Sequence, residues 1–363
     1  MTDQTLHDQI MAALSKVYDP EIRRPITELG MIESIDIDAA GEVVITALLT
    51  IAGCPLQDTL ARDIEAAAMT VDGVASVNVR LSVMDDAQRA AMRANLDAKA
   101  PTNQFTDGTT KVLAVASGKG GVGKSSLTVN LAVALAQQGL SVGLLDADIY
   151  GHSVPAMMGV ADERLIMVED MILPIPVHGV ATMSIGLMKE SRDQVIAWRG
   201  PMLDRALSQM LNDVYWGELD WLLVDLPPGT GDMPMSVGRQ LPTASVLVVT
   251  TPNSAAYEVA ERAGTLASRM QQPVIGVVEN MSWLDVECPN CHDIHRVEVF
   301  GSGGGAAVAN ALTLRSGDPV PLLAQIPMDI AVRAGGDSGQ PVVVAAPDSP
   351  AAVAIKDLAR RLI

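Results

Sequence analysis

Val112-Leu113-Ala114-Val115-Ala116-Ser117-Gly118-Lys119-Gly120-Gly121-Val122-Gly123-Lys124-Ser125-Ser126 is the stretch that decides the fold. Its apolar start reads as a strand buried on both faces, its glycines as a turn, and Ser125–Gln138 as the helix that follows. Gly118 to Ser125 fits GxxxxGK[ST], the phosphate loop. Without Cβ atoms in the way, backbone N–H groups can turn inward on phosphate oxygens. The helix that follows points its positive end at the same anion. In this pattern Lys124 reaches the β- and γ-phosphates, and the Ser125 hydroxyl binds Mg2+.

The same residues also satisfy GxGxxG, through Gly118, Gly120 and Gly123. Asp146 and Asp148, at the end of the next strand, stand where a ribose-binding acid would in a dinucleotide site. Lys124 and Ser125 serve phosphate and Mg2+ and have no part in a dinucleotide fingerprint, so the spacing favours a nucleoside triphosphate.

Working outward, the apolar runs Val112–Ala116, Val142–Asp146, Trp221–Asp225, Ser245–Thr250, Val274–Glu279 and Leu323–Ile326 alternate with helical stretches such as Ala255–Met270. That alternation predicts an α/β fold, a mostly parallel sheet with helices on both faces. Asp148 and Asp225 then fall at carboxyl ends of strands, where such sheets bind ligands. Asp225 after Trp221-Leu222-Leu223-Val224 is placed to hold Mg2+, and Gly229 offers a backbone N–H to a γ-phosphate.

The first 85 residues predict a separate small α/β unit. It has a helix over Leu6–Val17, a hairpin of Ile32–Ile37 with Val43–Thr50, a helix over Leu56–Met69 and a strand over Val74–Val83. Residues 86–110 are Ala-rich and charged, then polar with Pro and Gly, and read as a linker. The ATPase-like region spans 111–363.

A net charge of −18 leaves no basic footprint for nucleic acid. Aromatics at 3% supply few stacking platforms for single strands. No apolar run is long enough to span a bilayer, and MTDQTLHDQI is not a signal peptide. Three cysteines, an odd number, argue against a disulfide scaffold and for a cytoplasmic location. The last residues, Ala351 to Ile363, carry apolar and basic residues at helical spacing. They read either as a membrane-surface helix, as in a positioning or partitioning ATPase, or as a helix packed on its own sheet.

Cys288-Pro289-Asn290-Cys291 lies in a stretch read as a loop between Asn280 and Gly301. Two thiolates at this spacing can converge on one metal or cluster. Several chemistries share the pattern. Cys288 to His292 spells CxxCH, the haem-attachment pattern, which needs an exported chain. Zinc would be completed by His292 or His295, and a redox dithiol is a further reading. An iron–sulfur cluster normally takes four thiolates, so one chain supplies half, and a two-fold dimer would supply all. Cys54, at a strand-to-helix junction beside Pro55, reads as either a small core residue or a thiolate favoured by the helix N-terminus.

The early Lys119 makes the loop resemble the deviant phosphate loop of the ATPases related to MinD, ParA and the nitrogenase iron protein. The resemblance implies that Lys119 acts across a dimer on the partner's nucleotide and that Asp148 positions or activates the attacking water. It also implies that Asp148 and Asp225 support Mg2+, and that Asn280 and the Pro327-Met328-Asp329 turn contact adenine. The runs Gly276 to Met281, Cys288 to Cys291, Phe300 to Gly304, Trp198 to Met202 and Asp225 to Asp232 closely resemble the Mrp/ApbC family of iron–sulfur carrier ATPases. The first unit, through Asp19-Pro20-Glu21 and Thr50 to Pro55, resembles the small domain shared with iron–sulfur assembly factors. The resemblance implies a homodimer that binds ATP and Mg2+, hydrolyses ATP and holds a [4Fe-4S] cluster on Cys288 and Cys291 of two subunits. The cluster would pass to recipient apoproteins, with other assembly proteins as partners and no membrane or nucleic acid.

Overall fold

A computed structural model describes residues 3–50, 56–99, 105–149, 151, 153–188, 200–253 and 256–363. The chain splits into two compact units. The first comprises Met1–Pro101, Leu165–Pro174 and Asp213–Gly217, and the second Thr102–Arg164, Ile175–Asn212 and Glu218–Ile363. In chain order the first unit begins with α1 (Asp3–Leu14), β1 (Ile32–Ile37), β2 (Glu42–Leu49), α2 (Gln57–Ala68), β3 (Ser76–Val83) and α3 (Asp86–Lys99). The second opens with β4 (Lys111–Ser117), α4 (Lys124–Ala136), β5 (Val142–Asp146) and α5 (Val154–Met157). The short hairpin β6 (Ile166–Val168) and β7 (Met171–Leu173) returns to the first unit. The second then continues with β8 (Ile175–Val177), β9 (Val180–Ser184), α6 (Gly200–Asn212), β10 (Trp221–Asp225), α7 (Asp232–Gln240), β11 (Ser245–Thr250) and α8 (Ala256–Met270). It closes with β12 (Val274–Glu287), β13 (Ile294–Val297), α9 (Gly304–Ser316), β14 (Leu322–Met328), α10 (Ile330–Ser338), α11 (Val342–Ala345) and α12 (Pro350–Leu362).

In the first unit β2 is central, antiparallel to β1 and parallel to β3. Ile10, Leu14, Ile26, Ile45 and Ile64 are fully buried beneath this sheet. The expectation of a linker over 86–110 gives way in part to α3. Met92 and Leu96, four residues apart and so on one helix face, are buried in the same core. Val168, Met171, Leu173 and Tyr215 join that core from the region the sequence assigns to the ATPase. In the Asp19-Pro20-Glu21 turn, Asp19 Oδ1 accepts from the backbone N–H groups of Glu21 at 2.9 Å and Ile22 at 2.8 Å.

The second unit has the doubly covered α/β architecture that its apolar runs predict. Neighbouring strands run in the order β14-β12-β11-β4-β10-β5-β9, all parallel. Antiparallel β8 extends one edge beside β9. β4, β5, β10 and β11 are almost wholly buried, which explains why their sequences are continuous apolar runs. Helix α12 packs on α4 and β14, with Ala351, Ala352, Ile355, Leu358 and Ala359 buried. Its apolar face is therefore core, which answers the membrane-surface reading of that segment. Among the described residues no helix is long and apolar enough to cross a membrane.

Candidate nucleotide site and cysteine hairpin

The phosphate loop joins β4 to α4 at the centre of the sheet. Gly123 has φ +78°, and a Cβ there would lie 2.3 Å from Asn280 Nδ2, so only glycine fits. At Gly118 a Cβ would meet the Val259 backbone at 2.9 Å, because α8 lies against the loop. Arg262 on the same helix donates from Nη1 to the Gly118 carbonyl at 3.2 Å. Gly120 and Gly121 are exposed, Val122 is buried, and Lys119 and Ser126 are half-buried.

Lys124 and Asp225 form a buried ion pair, Nζ to Oδ1 at 2.7 Å, with side chains 6% and 1% exposed. Ser125 Oγ donates to Asp225 Oδ2 at 2.5 Å, and Thr128 Oγ1 donates to Oδ1 at 3.0 Å. The parallel register of β5 with β10 sets Asp146 directly beside Asp225. Burial pushes the Asp146 carboxyl up to about 8, and the Asp225 charge adds to the rise, against the Ser184 hydroxyl, the Asp148 N–H and Lys124. Asp146 Oδ2 accepts from Ser184 Oγ at 2.9 Å and Oδ1 accepts from Asp148 N at 3.1 Å. Two acids, the hydroxyls of Ser125, Thr128 and Ser184, and one ammonium thus converge at the loop. The Ser125 hydroxyl and the Asp225 carboxylate are hard oxygens of the kind that suit Mg2+, and the donor set fits that ion.

The other expected residues are placed as follows. Asp148 is buried, and its Oδ1 accepts from Gly151 N at 3.0 Å. Gly229 has its N–H on the Ser117 carbonyl at 3.1 Å, so here that donor serves the loop itself. Asn280 Nδ2 donates to the Val122 carbonyl at 2.9 Å, a direct brace on the phosphate loop. Pro327 is buried and follows Ile326, the register partner of Asn280. Asp329 accepts from Ala331 N at 2.8 Å and from Ala351 N at 3.3 Å, which commits its carboxylate to capping α10 and to the first turn of α12. Cys54, Pro55, Trp198 and Arg199 lie outside the described residues.

The cysteine pair lies in a short turn, 288–293, at the tip of a hairpin, and much of the stretch expected to be loop between Asn280 and Gly301 is strand. β12 runs on past Asn280 to Glu287, and β13 returns antiparallel to it, with Val286 opposite His295 and Glu287 opposite Ile294. These strand ends are exposed and mix polar with apolar residues, so no buried face marks them in the sequence. Cys288 N donates to Asp293 O and His292 N to Cys288 O, each at 2.9 Å, and His292 takes φ +58° to close the turn. Cys288 is half-buried and Cys291 exposed. The Cys291 and Asn290 backbone N–H groups, with the Cys291 thiol, hold the Cys288 thiol below its usual range. Cys288, Cys291 and His295 offer ligand atoms all within 4.8 Å of one another. His292 instead sets Nδ1 against Glu287 Oε1 at 2.6 Å. On the sheet side, Arg296 lies over the Trp283 ring at 3.9 Å.

A family model described as NUBPL iron-transfer P-loop NTPase matches residues 108–363. The chain belongs to this family. A second model, an iron-sulfur cluster assembly protein domain, matches residues 7–80. An iron-sulfur cluster carrier protein of Mycobacterium leprae is 53% identical over 349 residues, covering 95% of this chain and 89% of the relative. Its namesake in Synechocystis is 38% identical, covering 98% of this chain and 96% of the relative. Among solved structures, a nucleotide-binding protein from Archaeoglobus fulgidus in complex with ADP, with cobalt found, superposes with a TM-score of 0.55. It is 33% identical and covers 68% of this chain and 92% of its own.

Membership of the iron-transfer NTPase family makes the residues absent from the sequence expectation informative. Thr128 lies one helical turn after Lys124, and that i,i+4 spacing on α4 is the signal that would have found it. Glu279, buried at the end of an apolar run, accepts from Gly305 N at 2.6 Å and from Gln325 Nε2 at 2.7 Å. A charge closing a buried strand was its only mark.

Proposed function

We propose that this chain is an ATP-hydrolysing carrier whose homodimer holds a [4Fe-4S] cluster on Cys288 and Cys291 of both subunits and delivers it to apoproteins. The observation that supports it most is a single strand. β12 carries Asn280, which braces the phosphate loop at Val122, and ends at Glu287, next to Cys288. A change at the phosphates therefore reaches the thiols along one continuous element, which bends at Met281, φ +58°, where its register against β14 shifts. A strand advances about 3.3 Å per residue, so Asn280 and Cys288 are at most roughly 26 Å apart along it.

In this reading ATP phosphates accept from the loop N–H groups and from Lys124, which leaves its bond with Asp225 to reach them. Ser125 and Asp225 hold Mg2+, which neutralises charge on the phosphates when bound. Asp148 orients water, and Lys119 acts on the nucleotide of the other subunit. Two thiolates per chain are half of a four-thiolate set, so the dimer completes the cargo site. The first unit, which matches an assembly-type domain, contacts donors or recipients.

The test is anaerobic reconstitution with iron and sulfide. About four irons and four sulfides per dimer are expected, lost in Cys288→Ala and in Cys291→Ala. Full incorporation in both variants overturns the carrier site.

A further inference from the structure

We propose that His295 is a third ligand on the same hairpin, so that one chain alone can hold a single divalent transition-metal ion in a Cys288–Cys291–His295 set with its fourth position open. This rests on the reading that the two cysteines ligate metal, and it adds a ligand and a cargo form to that site. The geometry is direct. Pairing of Val286 with His295 sets His295 at the start of the returning strand, next to the turn that carries both sulfurs. All three ligand atoms then lie within 4.8 Å of one another. A tetrahedral ion with metal–sulfur bonds near 2.3 Å needs its ligands about 3.8 Å apart. The set is within about 1 Å of that spacing.

The neighbouring histidine is already engaged. His292 Nδ1 sits 2.6 Å from Glu287 Oε1, on the turn itself. His295 lies on the returning strand and is exposed, as is Cys291, so the open side of the set faces solvent. Two thiolates and one neutral imidazole suit Zn2+, Co2+ and Fe2+ better than Mg2+ or Ca2+. Glu287, beside Cys288, adds negative charge that favours a cation. A fourth ligand, water or an incoming thiolate, completes the tetrahedron without a second copy of the chain.

The probe is Co2+, titrated anaerobically into the full-length reduced chain, because tetrahedral thiolate-bound cobalt has intense ligand-field and charge-transfer bands. One Co2+ per chain with tetrahedral bands is expected. Cys288→Ser should abolish the bands, and His292→Asn, which tolerates the left-handed backbone of the turn, should bind as the parent does. His295→Ala should bind at least about tenfold more weakly, since losing even an outer partner of a metal ligand costs 10–100-fold. Parent-like affinity in His295→Ala, or bands that survive Cys288→Ser, overturns the inference. Iron–sulfide reconstitution separates the two readings. If His295→Ala keeps parent affinity for Co2+ while cluster loading still needs Cys288 and Cys291, only the His295 inference falls. If loading ignores both cysteines, the carrier reading falls with it.

Discussion

Asn280 Nδ2 donates to the Val122 carbonyl across 2.9 Å, and the same amide occupies the space a side chain at Gly123 would need. Gly123→Ala therefore meets a 2.3 Å contact and a φ of +78° at once. Its expected effect is loss of at least about 100-fold in ATP affinity by isothermal titration, from the clash plus about 1–2 kcal/mol of left-handed strain. Asn280→Ala alone removes one hydrogen bond, about 1 kcal/mol, and is expected to weaken ATP about fivefold. The double variant Gly123→Ala/Asn280→Ala should bind ATP better than Gly123→Ala, because the clash is gone and only the strain remains. Additive losses in the double variant would show that the two residues do not meet.

Asp146 gives a pH dependence whose sign can be worked out. Its carboxyl rises from 3.8 to about 8, chiefly through burial. Across that window the folded chain keeps a proton that the unfolded chain has released. Stability contributed at this position is therefore present at low pH and is lost as pH rises toward 8. Asp146→Asn, which keeps an acceptor for Asp148 N and turns an amide donor toward Ser184 so that the hydroxyl accepts instead of donating, removes the titration. The variant's gain in Tm over the parent should grow from about pH 5 to pH 8 and then level off. A constant difference across that range would refute the raised value.

Lys124 is the cation that lets two neighbouring carboxyls remain buried. Its loss in Lys124→Ala leaves Asp225 and Asp146 side by side with no ammonium. Breaking a buried pair by removing one partner costs about 3–5 kcal/mol. Removing this charge also pushes Asp146 further up, since Lys124 is among the groups that lower it. Denaturant unfolding should show a deficit for Lys124→Ala that is larger at about pH 9 than at about pH 6, because above about 8 the parent's Asp146 has released its proton and its stability levels off, while the variant's carboxyl, pushed further up, goes on losing stability as pH rises. ATP binding should be lost at both pH values. A pH-independent deficit would mean that the acids relax into solvent when the lysine goes.

Much of this site was legible because its chemistry is local. Glycine spacing, Lys124 and Ser125 sit within one turn of chain, and Asp148 and Asp225 each close an apolar run. The carboxyl-end placement of Asp225 followed from parallel strands alone, but its place beside Asp146 depends on the β5–β10 pairing, which no local pattern marks. What the sequence hid is non-local or exposed. The hairpin that carries Cys288 and Cys291 has no buried face, so its strands lack the alternation that marks a half-buried strand. The brace from Asn280 to Val122 joins residues 158 positions apart. Helix α3 looked like linker because it is charged and Ala-rich; only Met92 and Leu96 betray its buried face.

Glu279 and Gly305 fix the root of the strand that ends in the cysteine hairpin. Glu279 Oε2 accepts from Gly305 N at 2.6 Å, and Oε1 accepts from Gln325 Nε2 at 2.7 Å. Both acceptor oxygens belong to a residue 1% exposed; Gly305 is buried and its N–H has no water to turn to, whereas Gln325 is exposed. Glu279→Ala leaves the buried Gly305 N–H unpaired, at about 1–3 kcal/mol, while the exposed Gln325 amide can turn to solvent. Glu279→Gln restores an acceptor for that N–H and should recover most of the loss. Gly305→Ala should be destabilising by a different route, since its Cβ would lie 2.6 Å from Glu279 Cβ and 2.9 Å from Leu322 Cδ1. Urea unfolding of the three variants orders them as Glu279→Gln least affected. Amide exchange in β12 between Val274 and Glu287 should rise in Glu279→Ala and in Gly305→Ala. Unchanged exchange there, with global stability lowered, would place the damage in α9 and leave the strand's root intact.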